Sequence, residues 1–211
     1  MPPKVKFQKE DIVNAALNIT RTGGIAAVTA REVAAELGVS TRPIFTWFET
    51  IDQLKREVYL IAKDIYRSCI ERGLTEPLPF LGIWQQYFHF AKAEPELYRL
   101  LFLTTPCNLS GGAMEAFEFS RDLARESIMS FYNMDAKTAD CFFRDIWLVA
   151  FSFATLAVTD NCPYSENEIF AIGGEISLSV CKAYKEIPGL LEGKYDRDMI
   201  FSQLVRNKPA A

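Results

Sequence analysis

The chain contains a single histidine, His89, so it cannot assemble a multi-histidine metal centre. Its five cysteines, at positions 69, 107, 141, 162 and 181, are odd in number and form no C-x-x-C pair. That spacing argues against a disulfide framework and against a thiolate metal site, and reduced, buried thiols are expected. The most apolar run, "IWLVAFSFATLAVT" between Asp145 and Asp160, has fourteen uncharged residues, short of the roughly eighteen that suggest a membrane span. "MPPKVKFQKED" at the N-terminus has basic residues but no apolar run and no small-residue cleavage site behind them, so it does not read as a secretory signal. The expected compartment is the cytoplasm, and no membrane partner is expected. No β-alternation, internal repeat or low-complexity tract stands out. Catalytic constellations are missing as well. No acid lies at a spacing that pairs obviously with a nucleophilic cysteine or serine, and Ser110-Gly111-Gly112 is too short for a phosphate loop and follows no strand. Neither enzymatic activity nor a cofactor is expected.

What is present is a large apolar fraction, 49% over 211 residues, enough to bury a core. The net charge of -4 argues against a nucleic-acid binder, but its distribution is uneven. Residues 1–56 carry eight basic and six acidic side chains, which leaves -6 for the rest of the chain. A mildly basic head on an acidic body fits a head that meets polyanions.

Helical periodicity runs from end to end. "QKEDIVNAALNITRTGG" places Ile12, Ala15, Ala16 and Ile19 on one face and stops at Gly23-Gly24. Thr29 to Glu32 spell T-x-x-E, a capping box that opens a second helix with Val33, Ala34 and Leu37 inward and Gly38 at its end. Val39 fills the corner, and Ser40 is expected to cap a third helix with Pro43 in its first turn, where proline loses no hydrogen bond. Ile44 and Trp47 are expected to anchor the inner side of that helix. T-x-x-Q at Thr50 opens a fourth helix, without glycine or proline to about Arg72, that reads as a rigid connector. Further helices are expected at about 78–92, 95–104, 112–132, 136–159 and 166–186, with a weaker one near 196–206.

Two capped helices around a glycine turn make a helix-turn-helix over about 29–48, although an ordinary helical hairpin satisfies the same packing. The third helix leaves Thr41, Arg42 and Thr46 outward with no acidic partner among them. Arginine can make a bidentate contact to guanine, and threonine offers a hydroxyl to base edges or a methyl to thymine. "TAREVAAELGVSTRPIFTWFETIDQLKREVY" resembles the TetR family of bacterial transcription regulators, whose pattern here is roughly T-x-x-x-[IV]-A-x-x-x-G-V-S-x-x-x-[IL]-Y-x-[HY]-F-x-[ST/N]-K-x-x-L. Thr29, Val33, Ala34, Gly38, Val39, Ser40, Ile44, Phe48, Thr50 and Leu54 fall in place, and the likeness covers about 8–68. Three departures remove or alter polar contacts: Phe45 stands at the tyrosine position, Trp47 at the histidine or tyrosine position, and Ile51 at the lysine position. Arg31, Lys55 and the Lys4/Lys6 arm are candidates to compensate.

The resemblance implies an all-α chain: an N-terminal three-helix helix-turn-helix DNA-binding domain over 1–54, joined by a connector helix to a larger helical effector-binding and dimerisation domain over 55–211. Thr29, Arg31, Ser40, Thr41, Arg42, Phe45, Thr46, Trp47 and Lys55 are then the candidate DNA-binding residues, facing a double-stranded operator. A twofold homodimer would present two such surfaces. Candidate interface residues on the last two main helices are Ala150, Ala154, Ala157, Ala171, Gly173, Gly174 and Ser177, whose small side chains permit close helix approach. Thirteen of the sixteen phenylalanines follow residue 56, and family members often enclose a ligand there. Trp84, Tyr87, Phe88, His89, Phe102, Phe117, Phe131, Trp147 and Phe151 are candidate contacts for a small apolar or aromatic effector, though most aromatics must simply fill the core. The expected function is a ligand-responsive repressor of a palindromic operator. Two other readings stay open: a protein-interaction module, and a helical small-molecule-binding protein without operator binding.

Overall fold

The computed structural model describes residues 7–104, 112–160 and 162–206, and these are all-helical, with no strand among them. Lys4, Lys6, Cys107, Ser110 and Gly111 lie outside the described residues. Ten α-helices follow in order: α1 Lys9–Gly23, α2 Ala30–Glu36, α3 Ile44–Trp47, α4 Ile51–Leu74, α5 Pro79–Ala93, α6 Pro95–Tyr98, α7 Ala113–Tyr132, α8 Ala136–Val158, α9 Glu166–Glu186 and α10 Arg197–Arg206. A 3₁₀ turn precedes α2, and α6 widens into a π-type turn over Arg99–Leu103, where Thr104 N–H reaches back five residues to the Arg99 carbonyl at 2.9 Å.

Side-chain caps set most of the helix starts. Thr29 Oγ1 accepts from Glu32 N–H at 3.2 Å to open α2, but the reciprocal bond from Glu32 is not made, so only half of the expected capping box forms. Thr50 Oγ1 accepts from Gln53 N–H at 3.3 Å to open α4, and Gln53 turns its own oxygen to Glu49 N–H. Asp135 opens α8 in the same way, and Ser165 and Glu168 form a full box at α9. Gly38 ends the α2 corner at φ +66°, a conformation that costs glycine nothing.

The start of α3 differs from the sequence reading. Pro43, not Ser40, occupies its N-cap, and Thr41 to Pro43 form a separate turn closed by Ile44 N–H to the Thr41 carbonyl at 3.2 Å. The helix is a single turn, so proline lies ahead of it rather than inside it. Inner anchoring differs too: Ile44 and Phe48 are buried, whereas Trp47 is 45% exposed and donates from Nε1 to the Phe7 carbonyl. A four-residue helix has one inward side, and the i, i+4 pair Ile44 and Phe48 occupies it.

α4 and α5 form the central pair. They run back along one another, Gly73 meeting Gly82 and, further in, Tyr66 meeting the rings of Tyr87 and Phe90. The backbones are so close that a Cβ on Gly82 would stand 2.3 Å from the Gly73 carbonyl oxygen. α8 packs on α5, α7 and α9, with Phe142, Phe143, Ile146 and Trp147 buried. This helix is long and apolar enough to cross a membrane by length and composition alone, since charged residues cluster near its N-terminal end. In this bundle its inward face packs on α5, α7 and α9, and Leu148, Ser152 and Leu156 on its outward face stay exposed.

Candidate functional site

Two regions carry the candidate residues. The first is the outer surface of α2, the turn and α3. Arg31, Ser40, Thr41, Arg42, Phe45, Thr46 and Trp47 are all exposed, Thr29 is exposed at its cap, and Lys55 on α4 is half-buried. Thr46 turns its hydroxyl back to the Arg42 carbonyl at 3.2 Å, leaving its methyl as the outward group. Arg31, Arg42 and Lys55 form no ion pair among the described residues. The flanking cations are engaged: Lys9 meets Glu57 at 2.6 Å, Arg21 meets Glu94 at 2.6 Å and Lys63 meets Glu115 at 2.6 Å. A surface that combines unpaired cations, threonines and two half-exposed aromatic rings can accept an anionic polymer with apolar groups on its edges.

The second region is the aromatic interior. Tyr66, Tyr87, Tyr98 and Phe102 interlock, with Tyr98 and Phe102 stacked at 4.7 Å. Ser120 Oγ donates to the Ala116 carbonyl, so the Tyr66 hydroxyl, 2.6 Å from Ser120 Oγ, is the donor in that pair. Tyr87 and Tyr98 share a 3.2 Å contact, and Tyr98 reaches Thr155 Oγ1 at 3.0 Å. Burial pushes the Tyr66 and Tyr87 hydroxyls well above the ordinary tyrosine range and raises that of Tyr98.

This packing leaves two adjoining cavities. An inner one of about 20 Å³ is bounded by Tyr66, Tyr87, Ser120, Phe143, Trp147 and neighbours. An outer cleft of about 180 Å³ opens between α5, the end of α7, α8 and α9, walled by Leu78, Leu81, Tyr132, Gly174, Ser177 and Cys181 among others. Phe80, Trp84 and Ile146 line both. Among the described residues two buried side-chain polar atoms stay without a hydrogen-bond partner, Trp84 Nε1 and Trp147 Nε1. Trp147 lies toward the Tyr66 hydroxyl without reaching bonding geometry. Each unbonded buried N–H costs about 1–3 kcal/mol.

Of the aromatic candidates read from sequence, Trp84, Tyr87 and Trp147 line these cavities. Phe102, Phe117 and Phe151 pack around them, Phe117 and Phe151 both against Trp147. Phe88 lies one turn beyond Trp84 on the same side of α5, against Phe170 of α9, and lines neither cavity. Phe131 is 48% exposed, and His89 is an exposed side chain bonded to Glu166 at 2.6 Å, so neither lines a cavity. Lys92 shares that carboxylate, and the two together hold Glu166 below the usual carboxylate range, Lys92 contributing more. Sequence reasoning missed Tyr66, Phe80, Ser120, Phe143 and Ile146, which periodicity marks only as buried.

The small residues of α8 and α9 also divide. Ala150 and Ala154 face the core and cannot form an outer surface, and Gly173 is buried against Trp84. Ala157 is half-buried, Ala171 is exposed, and Gly174 and Ser177 edge the outer cleft. The outward stripe of α8 is instead Leu148, Ser152 and Leu156, one residue every fourth position, with Leu178 71% exposed on α9. Among the described residues no cluster of His, Cys, Asp and Glu could hold a metal ion, and Cys69, Cys141, Cys162 and Cys181 are free thiols. No protein-family model matches the chain.

Proposed function

We propose that the protein is a ligand-responsive, DNA-binding transcription regulator of the TetR kind, a homodimer that represses from a palindromic operator. The observation that carries this reading is the surface of the α2–α3 corner. Arg31 and Arg42 stand there unpaired and exposed beside Thr41 and Thr46, while Lys9 and Arg21 on α1 and Lys63 on α4 are neutralised by carboxylates. The exposed carboxylates Glu32 and Glu36 share α2, so what suits a phosphate backbone here is the placement of two free arginines beside hydroxyl side chains and not a net positive charge. Residues 1–54 would form the DNA-binding domain, with α4 as the connector to a body over 55–211.

The apolar stripe of Leu148 and Leu156 on α8, with Leu178 on α9, supports a dimer in which the last two main helices pair across a twofold axis. Two recognition surfaces would then address half-sites about 34–36 Å apart, or a multiple of that. The effector would act by preferring one of two separations of these surfaces, transmitted along α4.

A gel-shift experiment against DNA flanking the gene tests the reading. Salt-sensitive, sequence-specific retardation that Arg42→Ala removes, with two protomers per site, is the expected result. Failure to retard any DNA at low salt rejects it, and would favour a protein-interaction module or a small-molecule-binding protein without an operator.

A further inference from the structure

The two adjoining cavities specify the chemistry of their occupant. The outer cleft, about 180 Å³, is of the size that accepts one six-membered ring: a dry apolar cavity of roughly 150 Å³ binds benzene. Neither lining contains an aspartate, glutamate, lysine, arginine or histidine, so no side chain there would balance the charge of an ionised ligand. The unbonded polar atom in the shared wall is the Trp84 indole nitrogen, and the inner cavity adds that of Trp147; an indole N–H only donates. A partner for them must therefore accept.

We propose that this paired cavity binds an uncharged, single-ring apolar molecule whose polar atom is a hydrogen-bond acceptor, such as a ketone oxygen, received by Trp84 Nε1. The proposal rests on the effector half of the preceding reading and is independent of operator binding. Trp84 is 5% exposed, and its indole edge is covered by Gly173: a Cβ there would lie 2.4 Å from Cε2 and 2.9 Å from Nε1. The next residue, Gly174, has nothing within 4 Å of its Cβ position. The α9 wall is thus thinnest beside the unbonded donor. An acceptor reaches Nε1 by parting the Gly173 backbone from the indole, which moves α9 relative to α5 and gives the ligand a mechanical consequence.

Three probes separate the requirements: acetophenone, with ring and acceptor; isopropylbenzene, of similar shape without the acceptor; and benzoate, with a charge. The full-length ¹⁵N-labelled protein has three tryptophans, Trp47, Trp84 and Trp147, whose indole N–H resonances are assigned by single Trp→Phe variants. Acetophenone is expected to shift the Trp84 resonance saturably and to bind about tenfold more tightly than isopropylbenzene, with no binding of benzoate. Trp84→Phe keeps an aromatic ring but removes the donor, and should lower acetophenone to the isopropylbenzene level. Gly174→Leu fills the cleft at an open helical position, so the protein should keep its melting temperature and lose the probe. The proposal is overturned if acetophenone leaves Trp84 unmoved at its solubility limit, if the three probes bind alike, or if Gly174→Leu binds normally. It is also overturned if Gly174→Leu changes the oligomeric state, which would assign the cleft to a second copy of the chain. None of these measurements uses DNA, so the gel-shift result stands or falls separately.

Discussion

Arg21 near the end of α1 grips Glu94 at the end of α5 in a two-bond fork, Nε to Oε2 at 2.9 Å and Nη2 to Oε1 at 2.6 Å. The pair ties the first helix to the interior bundle through residues 73 positions apart, and the Glu94 hydrogen bond raises the arginine above its ordinary range. Lys9 with Glu57 makes a second tie from α1, to α4.

The Arg21 fork is partly open to solvent, so its contribution to stability is expected to be small, roughly 0.5–1 kcal/mol. Its geometry is the more specific property. Arg21→Lys should lose most of that contribution, because an ammonium cannot reproduce two parallel bonds to one carboxylate. Denaturant midpoints for the wild type, Arg21→Lys and Arg21→Ala would decide it. If the lysine variant matched the wild type, the fork would be an ornament of the surface.

Two glycines govern the α4–α5 crossing, and a third makes the control. A Cβ on Gly82 would meet the Gly73 carbonyl at 2.3 Å, and one on Gly73 would meet Ile83 N at 2.6 Å. Both obstacles are backbone, which cannot rotate aside, so Gly82→Ala should destabilise by about 2–3 kcal/mol. Gly174→Ala, in a helix with open space around it, should be neutral or stabilise by up to about 1 kcal/mol. Equal midpoints for the two variants would show that the helices slide to absorb the methyl group.

These glycines mark where sequence reading ran out. Helix positions followed from apolar spacing and caps, because Thr29 and Thr50 act locally and leave their signature within four residues. All-α character was legible for the same reason. What was not legible depends on contacts distant in the chain. Gly173 reads as a small residue for a partner helix, but Trp84, 89 positions earlier, fills the space beside it. Ala150 and Ala154 read as an interface stripe, but they face inward, and bulkier Leu148 and Leu156 face out. Trp47 followed the opposite course. Its size suggested burial, yet one helical turn offers room inside for Ile44 and Phe48 only.

Alkaline stability should turn on buried tyrosine. Burial, followed by the charge of Glu115, pushes the Tyr59 hydroxyl from 10.0 up to about 12. Its folded value lies above its unfolded one, so its contribution is fully present below pH 10 and is lost as pH rises through about 12. Tyr66, Tyr87 and Tyr98 are shifted in the same direction. Unfolding free energy measured by denaturant across this range should fall with rising pH, and less steeply in Tyr59→Phe. A Tyr59→Phe protein with the wild-type slope would remove Tyr59 from the explanation.

Phe45 offers a test of the proposed operator surface that loss of binding alone does not give. Its ring is 50% exposed and so free to be covered by a partner. On the proposed surface the cover would be base edges, with thymine methyls as the matching apolar groups. A tyrosine there would add one hydroxyl at the outer end of the same ring, within reach of the backbone phosphates. Phe45→Tyr should therefore tighten operator binding by roughly 0.5–1.5 kcal/mol, the net worth of one hydrogen bond. The hydroxyl is neutral and displaces no counterion, so the salt dependence should stay as it was. Phe45→Lys places a cation at the same point and should steepen the log–log slope by about 0.9, the value for one neutralised phosphate. Phe45→Leu should weaken binding mainly to thymine-containing half-sites while leaving the slope alone. Affinities measured at four or more salt concentrations separate these effects. If Phe45→Tyr left the affinity unchanged and Phe45→Lys left the slope unchanged, the ring would not face the phosphate backbone, and the orientation assigned to α3 would be wrong even if Arg42 proved essential.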